Sequence, residues 1–130
     1  MASGWLYVAA GGGVGAIGRY VLLEWLGSVD EGFLPWGTII ANVLGSLAIG
    51  FVVRLVERGA FGEGARLFLV VGMLGGVTTF SFFSYENLEL LRDDRYPALA
   101  ANAGGQVVFG LSAAIAGYLL AGALRSTSAR

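Results

Sequence analysis

The chain contains no cysteine, no histidine and no lysine, and it has only two prolines. Without cysteine there are no disulfides and no thiolate metal ligands, so the redox compartment leaves no mark on the sequence. Without histidine the commonest general base and the commonest metal ligand are both missing, which removes most hydrolase and zinc-enzyme readings. Charge is scarce as well. Only 13% of the 130 residues are charged while 56% are hydrophobic, a balance foreign to a soluble domain. The net charge of -1 offers nothing to a phosphate backbone, so nucleic acid is not an expected partner.

What remains is apolar and continuous. Four stretches carry no charged side chain: Met1 to Gly18, Gly32 to Val53, Leu67 to Tyr85, and Tyr96 to Leu124. Crossing a hydrocarbon core of about 30 Å takes about 20 helical residues, and each stretch is close to that length. The first also resembles a cleaved secretory signal. Against that, no basic segment precedes it, and Arg19 and Glu24 follow where a small-residue cleavage site belongs. Lipid offers the backbone no hydrogen-bond partner, so such runs are helices or the strands of a closed barrel. None shows the alternation over about ten positions that barrel strands need. The expected architecture is an all-α membrane protein, residues 1–130 forming one unit of four transmembrane helices: Gly4 to Leu26, Trp36 to Glu57, Gly64 to Leu91, and Pro97 to Leu124. The loops Gly27 to Pro35, Arg58 to Glu63 and Arg92 to Tyr96 are too short to house another domain.

Several of the 22 glycines recur at helical spacing. Gly11 with Gly15, Gly72 with Gly76, and Ala113 with Gly117 and Ala121 are small residues four apart, which lets helix backbones approach closely. Four such helices enclose little interior, so a water-lined path is easier to build between two subunits than within one. Orientation is carried by arginines. Arg54, Arg58, Arg66, Arg125 and Arg130 lie on the side shared by the termini, against Arg92 and Arg95 on the other, with Arg19 counted as intramembrane. The excess favours cytoplasmic termini.

Polar groups at bilayer depth are costly and each is a functional candidate. Arg19 ends a glycine-rich run and is either an arginine snorkelling to the headgroups or a charge at a pore mouth. Thr38, Asn42 and Ser46 share one helix face. The two hydroxyls can bond their own helix, whereas the Asn42 amide has more donors and acceptors than a helix backbone can satisfy. In the third run, Gly75 and Gly76 precede Val77, Thr78 and Thr79. This pattern weakens a helix, and we expect the third helix to be broken mid-membrane with carbonyls exposed to a cation. Thr78, Thr79, Ser81 and Ser84 keep the region polar, and Phe80 and Phe83, three apart, point to one face. Glu86 and Glu89 lie near the end of that helix, neither with a second carboxylate deep in the membrane to work with. Asn102, Gln106 and Gly110 make a further stripe, read equally as a polar path or as an amide-bridged helix contact.

Taken in order, three of these segments resemble the Fluc family of fluoride channels: Gly-Gly-Val-Gly-Ala-Ile-Gly-Arg-Tyr from Gly12, Gly-Thr-Ile-Ile-Ala-Asn from Gly37, and Gly-Gly-Val-Thr-Thr-Phe-Ser from Gly75. The resemblance covers nearly the whole chain, and the third segment is its most specific part. It implies an antiparallel dimer in the cell membrane with two fluoride pores at the subunit interface. Phe80 and Phe83 would line the pores with Asn42, and Thr38, Ser81, Asn102 and Gln106 would belong to the polar lining. Arg19 and Glu86 would sit in a vestibule. A structural sodium ion at the dimer centre would be held by the backbone carbonyls of Gly75 and Thr78.

The sequence departs from that pattern at Phe82, where serine or threonine is usual, and at Asn102, Gln106 and Gly110, where tyrosine, serine, and serine or glycine are usual. Two other function classes fit four helices: a proton-coupled multidrug exporter, which needs a deep membrane carboxylate, and a non-conducting assembly subunit. Dual-topology chains usually have balanced loops, so the arginine excess raises a heterodimer with an oppositely oriented paralogue beside the homodimer. The homodimer predicts that, with the chain expressed alone, a terminal tag is reached from both faces of the membrane in intact cells; labelling from one face only would exclude it.

Overall fold

The structure is a computed structural model and describes residues 3–26 and 32–124. Arg125 and Arg130 of the arginine tally, and residues 27–31 of the first loop, lie outside the described residues.

Among the described residues every regular element is helical. Helix α1 (Gly4–Leu26) and helix α2 (Trp36–Glu57) are continuous. The third span is assembled from α3 (Glu63–Arg66), a π-helical segment (Leu67–Leu74), α4 (Gly75–Val77) and α5 (Phe80–Arg92), and α6 (Tyr96–Ala123) completes the chain. The four spans Gly4–Leu26, Trp36–Glu57, Glu63–Arg92 and Tyr96–Ala123 are long and apolar enough to cross a membrane. The first two have the bounds expected from sequence, and the others differ by single residues at their ends.

Local chemistry sets the ends. Gly59, two residues past α2, has φ of 73°, a left-handed conformation that costs glycine nothing. Pro97 sits in the first turn of α6, where its missing N–H would have had no acceptor within the helix. Between α4 and α5, Thr78 and Thr79 are extended, with ψ of 150° and 121°. Thr79 then caps α5, its Oγ1 accepting from the Phe82 N–H at 3.3 Å.

The spans pack as two pairs whose members run in the same direction. In one, α2 lies along α6, with Asn42 meeting Gln106 and, several turns on, Arg54 meeting Tyr118. In the other, α1 lies along the π-helical segment and α4. Small residues bring both pairs to backbone contact. A methyl added at Gly11 or Gly15 would run into the carbonyl oxygens of Phe68 or Met73, and one at Gly117 into that of Leu47. From the opposite wall, a methyl at Gly72 would lie 2.8 Å from the Val8 carbonyl oxygen, and one at Gly76 2.8 Å from that of Gly12. The small-residue pairs read from the sequence therefore face each other across α1 and the third span. In lipid, close van der Waals contact rather than exclusion of water drives such association.

Little is buried inside. The buried apolar side chains are small or few, among them Ala41, Leu74, Leu90, Ala98 and Ala121, while Trp25 is 83% exposed and Ile17, Phe109 and Leu119 stand outward. Apart from Arg19 and Glu86, charge gathers near the ends of the spans. Arg58 donates to the carbonyls of Ala121 and Gly122 at 2.9 and 3.3 Å, placing a cation at the negative end of the α6 dipole. Beside it the Arg54 guanidinium lies over the Tyr118 ring, 4.7 Å from its centre, and the Tyr118 hydroxyl donates to Glu57 at 2.8 Å. Gly15→Ala is expected to destabilise the fold by about 1–3 kcal/mol through overpacking, measured as the midpoint of an SDS-unfolding titration. Gly13→Ala, whose methyl meets nothing within 4 Å, should leave that midpoint unchanged.

Candidate functional site

Extended Thr78 and Thr79 determine where the polar groups of three spans meet. In an unbroken helix the Thr79 N–H would bond the Gly75 carbonyl; here it donates to Asn42 Oδ1 on α2 at 2.9 Å. The amide of Phe82, which would have bonded the Thr78 carbonyl, goes to the Thr79 hydroxyl. Gly75 and Thr78 thus keep carbonyl oxygens free of their usual helical partners.

Asn42 is thereby turned so that its Nδ2 faces α6, donating to Gln106 Oε1 at 2.6 Å and, more weakly, to the Thr79 carbonyl at 3.4 Å. Gln106 Nε2 donates to Asn102 Oδ1 at 2.8 Å, and Asn102 Nδ2 to Asn87 Oδ1 at 3.2 Å. Asn102 and Gln106 are buried. Restarting the helix at Phe80 puts three aromatic rings in its first turn, of which Phe80 and Phe83 pack together, their centroids 5.4 Å apart and tilted by 36°. An open cavity of about 310 Å³ is lined by Asn42, Ser46, Thr78, Thr79, Phe80, Phe83, Gln106 and Val107. Its walls combine amide N–H groups with aromatic rings, whose edges carry partial positive charge. None of these lining residues is acidic.

The sequence profile described as "CrcB-like protein, Camphor Resistance (CrcB)" matches residues 6–118. The chain belongs to this family. It is 48% and 47% identical, over 121 residues, to proteins from two strains of Thermus thermophilus, each named fluoride-specific ion channel FluC. Those alignments cover 92% of this chain and 94% and 96% of the relatives. A protein of the same name from Opitutus terrae is 39% identical over 125 residues, covering 94% of this chain and 95% of its own length. With four apolar spans, this CrcB-like chain is a multi-pass membrane protein.

Of the residues singled out from the sequence, the CrcB-like fold brings Asn42, Phe80, Phe83 and Gln106 to one cavity, with Thr78 on its wall. Others lie off it. Thr38 donates to Glu86 Oε1 in a separate buried pair, and Glu86 Oε2 has no partner among the described residues. Asn102 sits behind Gln106 without reaching the cavity wall. Ser81 is exposed, its hydroxyl 3.0 Å from that of Thr79. Arg19 is half-buried with its guanidinium 5.6 Å from the centre of the Phe82 ring, so the unusual phenylalanine receives a cation on its face. Gly75, the first residue of α4, is exposed.

Sequence reasoning missed Asn87 and Val107. Asn87 carries a weak signal, being a polar residue four positions after Phe83, whose carbonyl it reaches at 2.8 Å. Its link to Asn102 needed the packing of α5 on α6, which spacing along one helix does not reveal. Asn42→Leu would leave the Thr79 N–H and Gln106 Oε1 without partners, and we expect a loss of about 1–3 kcal/mol in the SDS-unfolding midpoint, where Leu44→Ala on the exposed side of α2 should shift it less.

Proposed function

We propose that this chain is one subunit of a fluoride-selective channel that lets cytoplasmic fluoride leave the cell by passive electrodiffusion, lowering its toxicity. The role is transport, not catalysis. The observation that carries the reading is the tilted pair Phe80 and Phe83 against the amides of Asn42 and Gln106 around one cavity, in a chain whose relatives bear the name fluoride-specific ion channel. Fluoride is small and holds its water tightly. A path that strips that water must offer many weak positive contacts, and ring edges with amide hydrogens supply them without a fixed cation that would trap the ion. Hydrogen fluoride enters cells as the neutral acid from acidic surroundings and dissociates in the more neutral cytoplasm. A channel releases the trapped anion without ATP or a coupled ion.

The reading places two copies antiparallel in the cell membrane, with the third span broken at bilayer depth at Thr78 and Thr79. Phe80, 78% exposed in a single copy, and the openness of the cavity beside it support a pore completed by the second copy. Thr38 and Ser81 extend the polar lining, and Asn102 backs it from behind Gln106. Arg19 and Glu86 serve the vestibule, where the arginine draws anions toward the mouth. A homodimer is the simpler assembly, and a heterodimer with an oppositely oriented paralogue would answer the arginine excess.

The donor set also suits a sodium ion at the dimer centre. Hard cations take oxygen ligands, and the Gly75 and Thr78 carbonyls are among those relieved of their helical amides at the break. When bound, sodium would supply a fixed positive charge holding the two helix breaks together. A proton-coupled exporter finds less support, since Glu86 is 4% exposed and lies off the cavity.

Fluoride-electrode efflux from proteoliposomes, run beside chloride, tests the function. Wild type is expected to release fluoride and retain chloride, while Phe80→Ile and Phe83→Ile each slow fluoride at least about tenfold, a transport-barrier change of about 1.4 kcal/mol, with the dimer intact by gel filtration. Fluoride retention by wild type, or unchanged efflux in both variants, would overturn the assignment.

A further inference from the structure

The amides at and behind the cavity form a directed circuit that begins at the cap of α5 and ends within it. An amide side chain has the same outline either way round, so the direction of a chain of amides is decided at its ends. At one end is the Thr79 backbone N–H, which can only donate, bonded to Asn42 Oδ1 at 2.9 Å. At the other is the Phe83 carbonyl, which can only accept, bonded by Asn87 Nδ2 at 2.8 Å. Every link between runs the same way: Asn42 to Gln106 at 2.6 Å, Gln106 to Asn102 at 2.8 Å, Asn102 to Asn87 at 3.2 Å. The circuit leaves α5 at its cap, crosses α2 and α6, returns to α5 at Asn87 and ends on the Phe83 carbonyl, one turn after the cap. Phe80 lies inside that span and Phe83 closes it.

The inventory of hydrogens gives the circuit a second consequence. Both N–H groups of Asn42 are committed, one to Gln106 and one to the Thr79 carbonyl. Gln106 commits one of its two, and Gln106 lines the cavity. Asn87 and Asn102 do not line it.

We propose that the four amides act as one oriented relay in which Asn87 and Asn102 are positioning residues. They hold the turn bearing Phe80 and Phe83 at a set rotation against α6 and orient Gln106 so that its uncommitted N–H serves the cavity. The positioning claim rests on the fluoride-pore reading; the relay itself does not. Because the links share one direction, cutting any of them frees the neighbours to rotate, so a second cut adds little. Two unrelated structural residues would instead add their effects.

The test uses the full-length protein in proteoliposomes. Asn87→Leu, Asn102→Leu and the double variant are compared for fluoride efflux and for SDS-unfolding midpoint, with Phe83→Ile as reference. Each single variant is expected to lower efflux at least tenfold, and the double variant should match the slower single within twofold. Its midpoint shift should likewise fall short of the sum. Where the leucine variants fail to assemble, Asn87→Asp keeps the size and the acceptor but, when ionised, cannot donate to the Phe83 carbonyl, and at alkaline pH is expected to lose efflux equally. Asn87→Gln, which retains the donor, should recover part of it.

Additive midpoint shifts would overturn the relay. Single variants within twofold of wild-type efflux, beside a Phe83→Ile variant that has lost it, would overturn the positioning role while leaving the pore reading intact. Wild-type efflux in Phe83→Ile would remove the pore reading and the positioning role together, with the midpoints still deciding the relay.

Discussion

A single hydrogen bond, from the Thr79 N–H to Asn42 Oδ1 at 2.9 Å, governs the middle of this molecule. An unpaired backbone group in lipid costs several kcal/mol, so the chain can leave the helical path after Val77 only where another span supplies an acceptor. Asn42 supplies it. The helix can then restart from the Thr79 cap, and that restart puts Phe80 and Phe83 in the first turn of α5. The same bond settles which way the Asn42 amide points, and through it the orientation of Gln106, Asn102 and Asn87.

Around this centre the polarity is the reverse of a soluble domain's. The outer surface is built of Trp, Leu, Ile, Val and Phe, and the buried polar set includes Thr38, Glu86, Asn102 and Gln106. Such a distribution costs little when the solvent is lipid and each buried amide or hydroxyl has a partner. The helices are held by proximity, glycine against carbonyl, along α1 with the third span and α2 with α6. Close backbone contact leaves almost no room inside the bundle, and the cavity beside Phe80 opens outward as a result.

Much of the fold was legible because its causes are local. A stretch without charge long enough to cross lipid has few alternatives to a helix, which is why Gly4–Leu26 and Trp36–Glu57 have the expected bounds. Glycines four apart mark a helix face that another backbone can touch, and Gly11, Gly15, Gly72 and Gly76 do meet. The pairing of Phe80 with Phe83 followed from the three-residue spacing. Thr38 was legible only as a polar residue on the face of Asn42; its partner proved to be Glu86, 48 positions away. Asn87 passed unnoticed because its neighbours, Phe83 and Asn102, come from its own helix and another.

The sequence by itself determined that this chain lives in lipid as four apolar spans, because charge and length answer to the solvent and need no partner to be read. It also determined which polar residues had to be accounted for. Only the tertiary structure decided who accounts for them: that Asn42 takes an N–H from the third span, that Asn102 stands behind Gln106 rather than beside it, and that Arg19 lies over Phe82. A hydrogen bond depends on distance and direction between groups on different helices, and those are fixed only when the helices pack.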